Sequence, residues 1–443
     1  MAKVKVIGAG LAGSEAAIYL ANKNHEVELV EMRPKYQTGA HTTGYCAEFV
    51  CSNSLGSFEI TSASGLLKHE ALLLGSTLLK EAIANKVPSG NSLSIDRFGF
   101  SKRIEEIIDN HKNIKKVNSL YSKIEPDIPT IIATGPLTHI ELIKNIKEEF
   151  KEENFHFFDA IAPIIEKNSI DFNKAFYATR WDKGEADFIN CPMNKEEYEL
   201  FYNTLINSER IKLHDFEADY FEGCMPVEVM ASRGIDTLRF GPLKPVGLFD
   251  KRIPTEFKKN QFWAVVQLRQ DDKLANLYNI VGFQTNLKFP EQKKIIRLIP
   301  GLKNATIVRY GQMHANTFIN SPKILNKYLQ TNKHKNIFFA GQITGVEGYN
   351  ESISTGLLSA INMDRMLNNK KMLELSSDTM LGALVEYITF KEHKKFQPIN
   401  SNWGITAEIE VEKSKKKDKK FKNELRAKRA LNEIERVKNE ISN

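Results

Sequence analysis

Val4-Lys5-Val6-Ile7-Gly8-Ala9-Gly10-Leu11-Ala12-Gly13-Ser14-Glu15-Ala16-Ala17, closed by Val27-Glu28-Leu29-Val30-Glu31, is the stretch that decides the fold. A short apolar run, glycines spaced G-x-G-x-x-G, an Ala/Leu stripe reaching Leu20 and a second apolar run ending in an acid predict strand, tight turn, helix and strand. Gly8 makes the turn, Gly10 lets backbone approach a pyrophosphate, and Gly13 lets helix and strand pack closely. Ala9, Leu11 and Ala12 complete a phosphate loop at the helix N-terminus. Glu31, eighteen residues past Gly13, stands where an acid takes the ribose hydroxyl of an adenosine half. A glycine turn alone is common, but all four parts occur here in register, and dinucleotide binding is the better reading. The motif opens the chain, as in many flavoproteins, so the expected cofactor is FAD. No second glycine fingerprint follows for NAD(P)H, so a nicotinamide reductant is expected to bind transiently.

Working outward, Thr130-Ile131-Ile132-Ala133-Thr134-Gly135-Pro136 reads as a buried strand returning to the first sheet, and Asn336-Ile337-Phe338-Phe339-Ala340-Gly341-Gln342 repeats the pattern. A small-residue helix from Ser352 to Ile361 follows, and in folds of this class such a turn sets a helix N-terminus against the flavin. Gly341 and Gln342 are therefore assigned to cofactor binding, although Gln342 stands where many such proteins carry Asp. The stretch between the returns differs in composition, with aromatics, prolines and strands such as Phe262–Leu268 and Tyr278–Phe283. The predicted class is α/β, an FAD-binding Rossmann-type (glutathione-reductase-like) fold with an inserted α+β domain. Its expected parts are 1–160 and 311–410 for the cofactor, 161–310 for substrate, and 411–443 as a basic helical tail. Further helices are expected over Leu66–Ala84 and Ser101–His111, after a long polar loop at 36–64.

The chain has 443 residues and a formal charge of +7. Twelve Lys/Arg and six Asp/Glu lie within 411–443, so that segment carries +6 and the rest about +1. A near-neutral body excludes a broad polyanion-binding face, leaving local patches or the tail to meet phosphates. In the tail, Phe421, Leu425, Leu431, Ile434, Val437 and Ile441 give a narrow apolar stripe, and its lysines read most simply as a solvated face. No uncharged apolar run is long enough to span a membrane, and a strand stands where a signal peptide would be, so a cytoplasmic location is expected. Cys46, Cys51, Cys191 and Cys224 form neither a C-x-x-C pair nor a zinc spacing, so no metal site is assigned and free thiols are expected.

In Phe221-Glu222-Gly223-Cys224-Met225-Pro226-Val227-Glu228, Pro226 suits the first turn of a helix ending at Ser232. Cys224 would then lie near a helix N-terminus, which lowers a thiol pKa. From spacing alone it reads more simply as a small buried hydrophobe.

These residues, together with Thr237–Leu248, Ala264–Gln270, Val281-Gly282-Phe283-Gln284-Thr285, Tyr310-Gly311-Gln312-Met313-His314, Val50-Cys51-Ser52-Asn53-Ser54 and Phe396-Gln397-Pro398-Ile399-Asn400, resemble the folate- and FAD-dependent tRNA uracil-5-methyltransferases, the TrmFO family. The likeness covers all but the tail after about residue 411; Ala315 departs from it, following Met-His where many relatives carry a basic residue. The resemblance implies methylation of uracil carbon 5, the one-carbon unit coming from methylenetetrahydrofolate and the reducing power from reduced FAD. Carbon 5 is a poor nucleophile until something adds at carbon 6, which makes a thiolate the natural first actor. By resemblance Cys224 is the nucleophile and Cys51 the second thiol, roles that the sequence leaves exchangeable, and His314 stacks on the folate pteridine. Cys46 and Cys191 are expected to be structural. The RNA partner implied is tRNA, at its T-loop uridine, with a uridine of large-subunit ribosomal RNA as the alternative; the target base must be drawn out of its stack. The fingerprint by itself also permits a plain FAD oxidoreductase, which leaves the Cys224 segment without a role. A related flavin enzyme of wobble uridines should lack that segment. Nothing in the sequence sets an oligomeric state.

Overall fold

The computed structural model describes residues 1–152, 162–182, 185–211, 225–253, 262–393, 396–412, 415 and 418–442, together with the backbone of 155–160; of 313–315 and 442, too, only the backbone is described. Lys3–Ile7 is the centre of a five-stranded parallel sheet in the order Ile337–Phe339, Thr130–Ile132, Lys3–Ile7, Glu26–Glu31, Ile114–Asn118. Both predicted returns therefore pair on the same side of the first strand. Val6 and Ile131 face each other in register, and Ile131 faces Phe338. Side chains on both faces of these strands are buried, as continuous apolar runs require when helices cover a parallel sheet.

The helix Leu11–Asn22 is buried nearly all round because it lies between this sheet and the long helix Tyr349–Leu367. The two helices approach at Ala12 and Gly356: a Cβ on Gly356 would fall 2.3 Å from the Ala12 carbonyl oxygen. The long helix starts three residues before Ser352 and ends six after Ile361.

The apolar pattern over Leu66–Ala84 makes two helices, Ala63–Leu73 and Thr77–Ala84, not one. Gly75, at φ 99°, breaks the run, and Ser76 caps the second helix by accepting from the Leu79 amide. Glu15 of the buried first helix binds the same break, accepting from the Ser76 hydroxyl and the Thr77 and Leu78 amides. Asp96 likewise starts the next helix early, at Arg97, by accepting from Gly99. The polar loop at 36–64 holds a short strand, Ser54–Ser57, paired with Ser92–Ile95.

The second lobe is an antiparallel sheet of six strands, in the order Phe176–Ala178, Phe188–Met193, Ala264–Gln270, Leu277–Ile280, Ile164–Glu166, Ile307–Arg309, with a core of its own. The chain passes between lobes along two antiparallel strands, Phe155–Ala160 and Met313–Phe318. The tail forms the helix Lys419–Ser442. It docks on the first lobe through Ala427, Ala430, Ile434 and Val437, so two alanines, rather than Phe421 and Leu425, complete the seam. No helix among the described residues is long and apolar enough to cross a membrane.

Candidate active site

The glycine turn opens into a cleft of about 980 Å³ lined by Gly8, Gly10, Leu11, Ala12, Glu31, Gly135, Gly341, Gln342 and Tyr349, among others. Gly8 has φ 94°, and a Cβ on Gly13 would fall 1.8 Å from the Gly8 carbonyl oxygen, so both positions exclude larger residues. At Gly10 a Cβ would meet nothing within 4 Å. That open space faces the cleft, at the start of a helix that no side chain caps. A glycine whose missing side chain would project into a cleft, beside uncapped helix amides, fits the pyrophosphate of a dinucleotide. Ala9 is fully buried and works through its backbone, its amide donating to Glu31 Oε2 at 2.7 Å.

Glu31 Oε1 accepts from the backbone amide and Nε of Arg33, both at 2.9 Å. Burial would raise the Glu31 pKa, but the Arg33 charge and these hydrogen bonds hold it below the usual carboxylate value. Three of its roughly four acceptor sites are thus used, leaving room for one hydroxyl. Arg33 itself reaches Glu48, which gathers the amides and hydroxyls of Thr42 and Thr43. Opposite, Gly341 packs so closely on Ala12 that a Cβ would fall 2.8 Å from the alanine methyl. Gln342 donates to Glu347 Oε2 at 2.6 Å, which puts a buried carboxylate one hydrogen bond from the position where Asp was expected.

Cys51 is half-buried beside the cleft: its amide donates to the Tyr349 hydroxyl at 2.7 Å, and both Tyr349 and Val50 line the cleft wall. On its other side the loop is sewn to the second lobe. Arg97 donates to the Phe49 and Cys51 carbonyls and pairs with Asp271 at 2.6 Å. Asn53 donates to the Gln270 carbonyl and accepts from Asn279, which also donates to Asp271. Arg269 donates to Asn279, and Arg309 to the carbonyls of Ala40 and Val50. Three arginines thus crowd one carboxylate. Burial pulls the Arg269 pKa down to about 10, with Asp271 opposing, and lowers Arg309, whereas at Arg97 the lowering by burial is outweighed by Asp271, Tyr349 and Cys51 together, which raise it.

Cys224 lies outside the described residues. The helix after it runs Val227–Ala231, with Pro226 as its N-cap rather than its first residue. The cause is tertiary: the Val227 amide donates to the Gln284 carbonyl at 2.7 Å, and Pro226 takes an extended ψ of 140°. Glu228 closes the same corner on the Thr285 hydroxyl and the Asn286 amide. The His314 backbone pairs with Asp159, and three residues on, the Thr317 amide donates to the carbonyl of cleft-lining Pro136; the His314 side chain lies outside the described residues. Cys46 and Cys191 are buried, and burial pushes each thiol up to about 12, which makes them inert at neutral pH.

Sequence reasoning missed Tyr349, Arg33, Glu48, Arg97, Asp271 and Asn279. Only the long polar loop signalled any of them, since so much ordered chain without regular structure is usually functional.

Residues 3–371 match the family model for glucose-inhibited division protein A. The chain is similar to the proteins named methylenetetrahydrofolate--tRNA-(uracil-5-)-methyltransferase TrmFO of Bacillus cereus, at 51% identity over 98% of this chain and 99% of that one, and of Caldicellulosiruptor bescii, at 50% over 99% of each. Among solved structures it resembles GidA of Aquifex aeolicus, with a TM-score of 0.70 at 16% identity, covering 99% of this chain and 73% of the other. That likeness establishes the glutathione-reductase-like fold.

Proposed function

The chain belongs to the glucose-inhibited division protein A family and, within it, to the tRNA uracil-5-methyltransferases, and from that premise we propose that it methylates carbon 5 of the T-loop uridine of tRNA, taking the one-carbon unit from methylenetetrahydrofolate. FAD, held by Gly8, Ala9, Gly10, Leu11, Ala12, Gly13, Glu31, Gly341 and Gln342 and reduced by NAD(P)H, would supply the hydride that completes the methyl group. The observation that carries the reading is the seat of Cys51, one hydrogen bond from Tyr349 in the wall of the glycine-turn cleft. A cysteine beside the wall of a dinucleotide cleft would serve addition chemistry that a plain hydride-transfer enzyme does not require.

In this reading the Cys224 sulfur adds to uracil carbon 6, breaking the 5,6 double bond and leaving an enolate that attacks the donor's methylene carbon. Cys51 then takes the carbon-5 proton, the bond from the methylene carbon to the folate nitrogen breaks so that tetrahydrofolate leaves an exocyclic methylene, and once a hydride, which reduced FAD would supply, has completed the methyl group the Cys224 sulfur leaves as the 5,6 double bond reforms. His314 provides a ring for the pterin. Label supplied in the folate methylene should reach RNA in the presence of NAD(P)H, and label in the methyl of S-adenosylmethionine should not; the reverse would sink the assignment. RNA carrying 5-fluorouridine should be trapped covalently on the wild type, because fluorine cannot leave as a proton does, and not on Cys224→Ser. A trap that persists in Cys224→Ser and disappears in Cys51→Ser would reverse the two thiols.

A further inference from the structure

Trp181 stands in a backbone conformation that large side chains avoid. Its φ and ψ are 61° and 25°, in the left-handed region, and Asp182 follows at φ 48°. Such strain persists only where surrounding structure over-determines it, and it gathers at sites that use it. Burial does not offset it here, since the residue is 58% exposed. The loop Gly241–Phe249 holds it instead. The Trp181 amide donates to the Gly247 carbonyl at 2.7 Å, and Arg180 donates to the carbonyls of Val246 and Lys244 and to the side-chain oxygen of Gln267. Gly247, at φ 80°, makes room for the indole: a Cβ there would fall 2.6 Å from the ring. Phe249 meets the indole edge-on, with ring centroids 6.4 Å apart.

The scaffold thus presents a large aromatic ring to solvent in one fixed orientation. Two lysines lie on the neighbouring segments: Lys251 reaches Asp182, the residue after Trp181, at 3.5 Å with its own side chain 72% exposed, and Lys244 is exposed on the loop that holds the indole. We propose that Trp181 is a stacking platform for an unpaired base of the RNA substrate, with Lys251 and Lys244 meeting the neighbouring phosphates; this rests on the RNA reading above. Every base offers a π-face to an indole, whatever its sequence, and a ring already fixed in place loses little freedom on binding. A near-neutral body makes such a local platform the economical way to hold a loop whose bases are splayed out.

The test uses the full-length flavoprotein and an unmodified tRNA transcript. Trp181→Ala and Trp181→Leu should weaken RNA binding about 5- to 100-fold, the range of one lost base stack, while Trp181→Phe stays within about threefold of wild type by the same stacking logic. Flavin content and melting temperature, unchanged in the leucine and phenylalanine variants, show that the loop still folds. RNA should quench fluorescence of the wild type more than of Trp181→Phe. Wild-type affinity in Trp181→Leu would overturn the platform, and so would a quench that grows with protein concentration in the absence of RNA, since that marks a self-association face. If folate label fails to reach RNA while the transcript still binds through Trp181, the methyl-transfer reading falls and the platform stands; if the wild type binds no transcript, both fall.

Discussion

The glycine-turn cleft and the seam around Cys51 share a wall at Val50 and Tyr349, yet they are held together by opposite means. The cleft is backbone: positive φ at Gly8, a 1.8 Å exclusion at Gly13, helix amides left open at Gly10. The seam is side chain: Arg97, Arg269 and Arg309 around Asp271, with Asn53 and Asn279 threaded between two lobes. A site made of backbone fails when a Cβ is added, while a site made of buried charge fails when a partner is taken away.

The largest effect that divides them should come from Gly13→Ala. Its methyl would meet backbone that cannot swing aside, at a cost of about 5 kcal/mol, the upper end for a single substitution. Gly10→Ala is its control: the added methyl meets only open space, so the melting temperature should hold while flavin affinity falls. Equal melting temperatures for the two variants would break the distinction between packing glycine and ligand glycine.

Asp271→Ala tests the other side. Removing the buried carboxylate that pairs with Arg97, beside the half-buried Arg269 and Arg309, leaves charge uncompensated and should cost about 3–4 kcal/mol in chemical denaturation, with flavin still bound because the cleft does not use Asp271. Loss of less than about 1 kcal/mol, the worth of an exposed pair, would show the seam to be a solvated contact.

A smaller effect sharpens the contrast through pH. Lys68 and Glu70, on the helix Ala63–Leu73, are buried on backbone partners, Lys68 on the Ser57 and Ser64 carbonyls and Glu70 on the Met380 and Leu381 amides. Burial raises Glu70 from 4.5 to about 7 and lowers Lys68 from 10.5 to about 7. Between pH 4.5 and 7 the folded chain keeps a Glu70 proton that the unfolded chain has released, so stability falls as pH rises. Between pH 7 and 10.5 the unfolded chain keeps a Lys68 proton that the folded chain has released, so stability recovers. Relative to Glu70→Gln, the wild type should therefore lose on the order of 3 kcal/mol from pH 4 to pH 8, and Lys68→Met should lose the alkaline recovery. A wild-type-minus-variant difference independent of pH would place both groups in water.

What the sequence determined by itself is the part governed by neighbours along the chain. The G-x-G-x-x-G turn, its flanking strands, Glu31 and the two returns at Thr130–Ile132 and Ile337–Phe339 were legible because hydrophobic period and glycine spacing act over a few residues. The break at Gly75 showed the limit of that reading: the apolar period continued through it, and the second helix begins where the Ser76 cap and the Glu15 carboxylate, sixty residues upstream, take up its first amides. The early start at Arg97, the shortened helix after Pro226 and the alanine seam of the tail failed for the same reason, since each is settled by a cap or surface that the local pattern does not contain. Tertiary structure alone decided the surroundings of Cys51. Arg97, Asp271, Asn279 and Arg309 come from segments far apart in the chain, and buried or half-buried polar groups carry no periodic signal; each is tolerated only because the fold brings its partner within hydrogen-bonding distance.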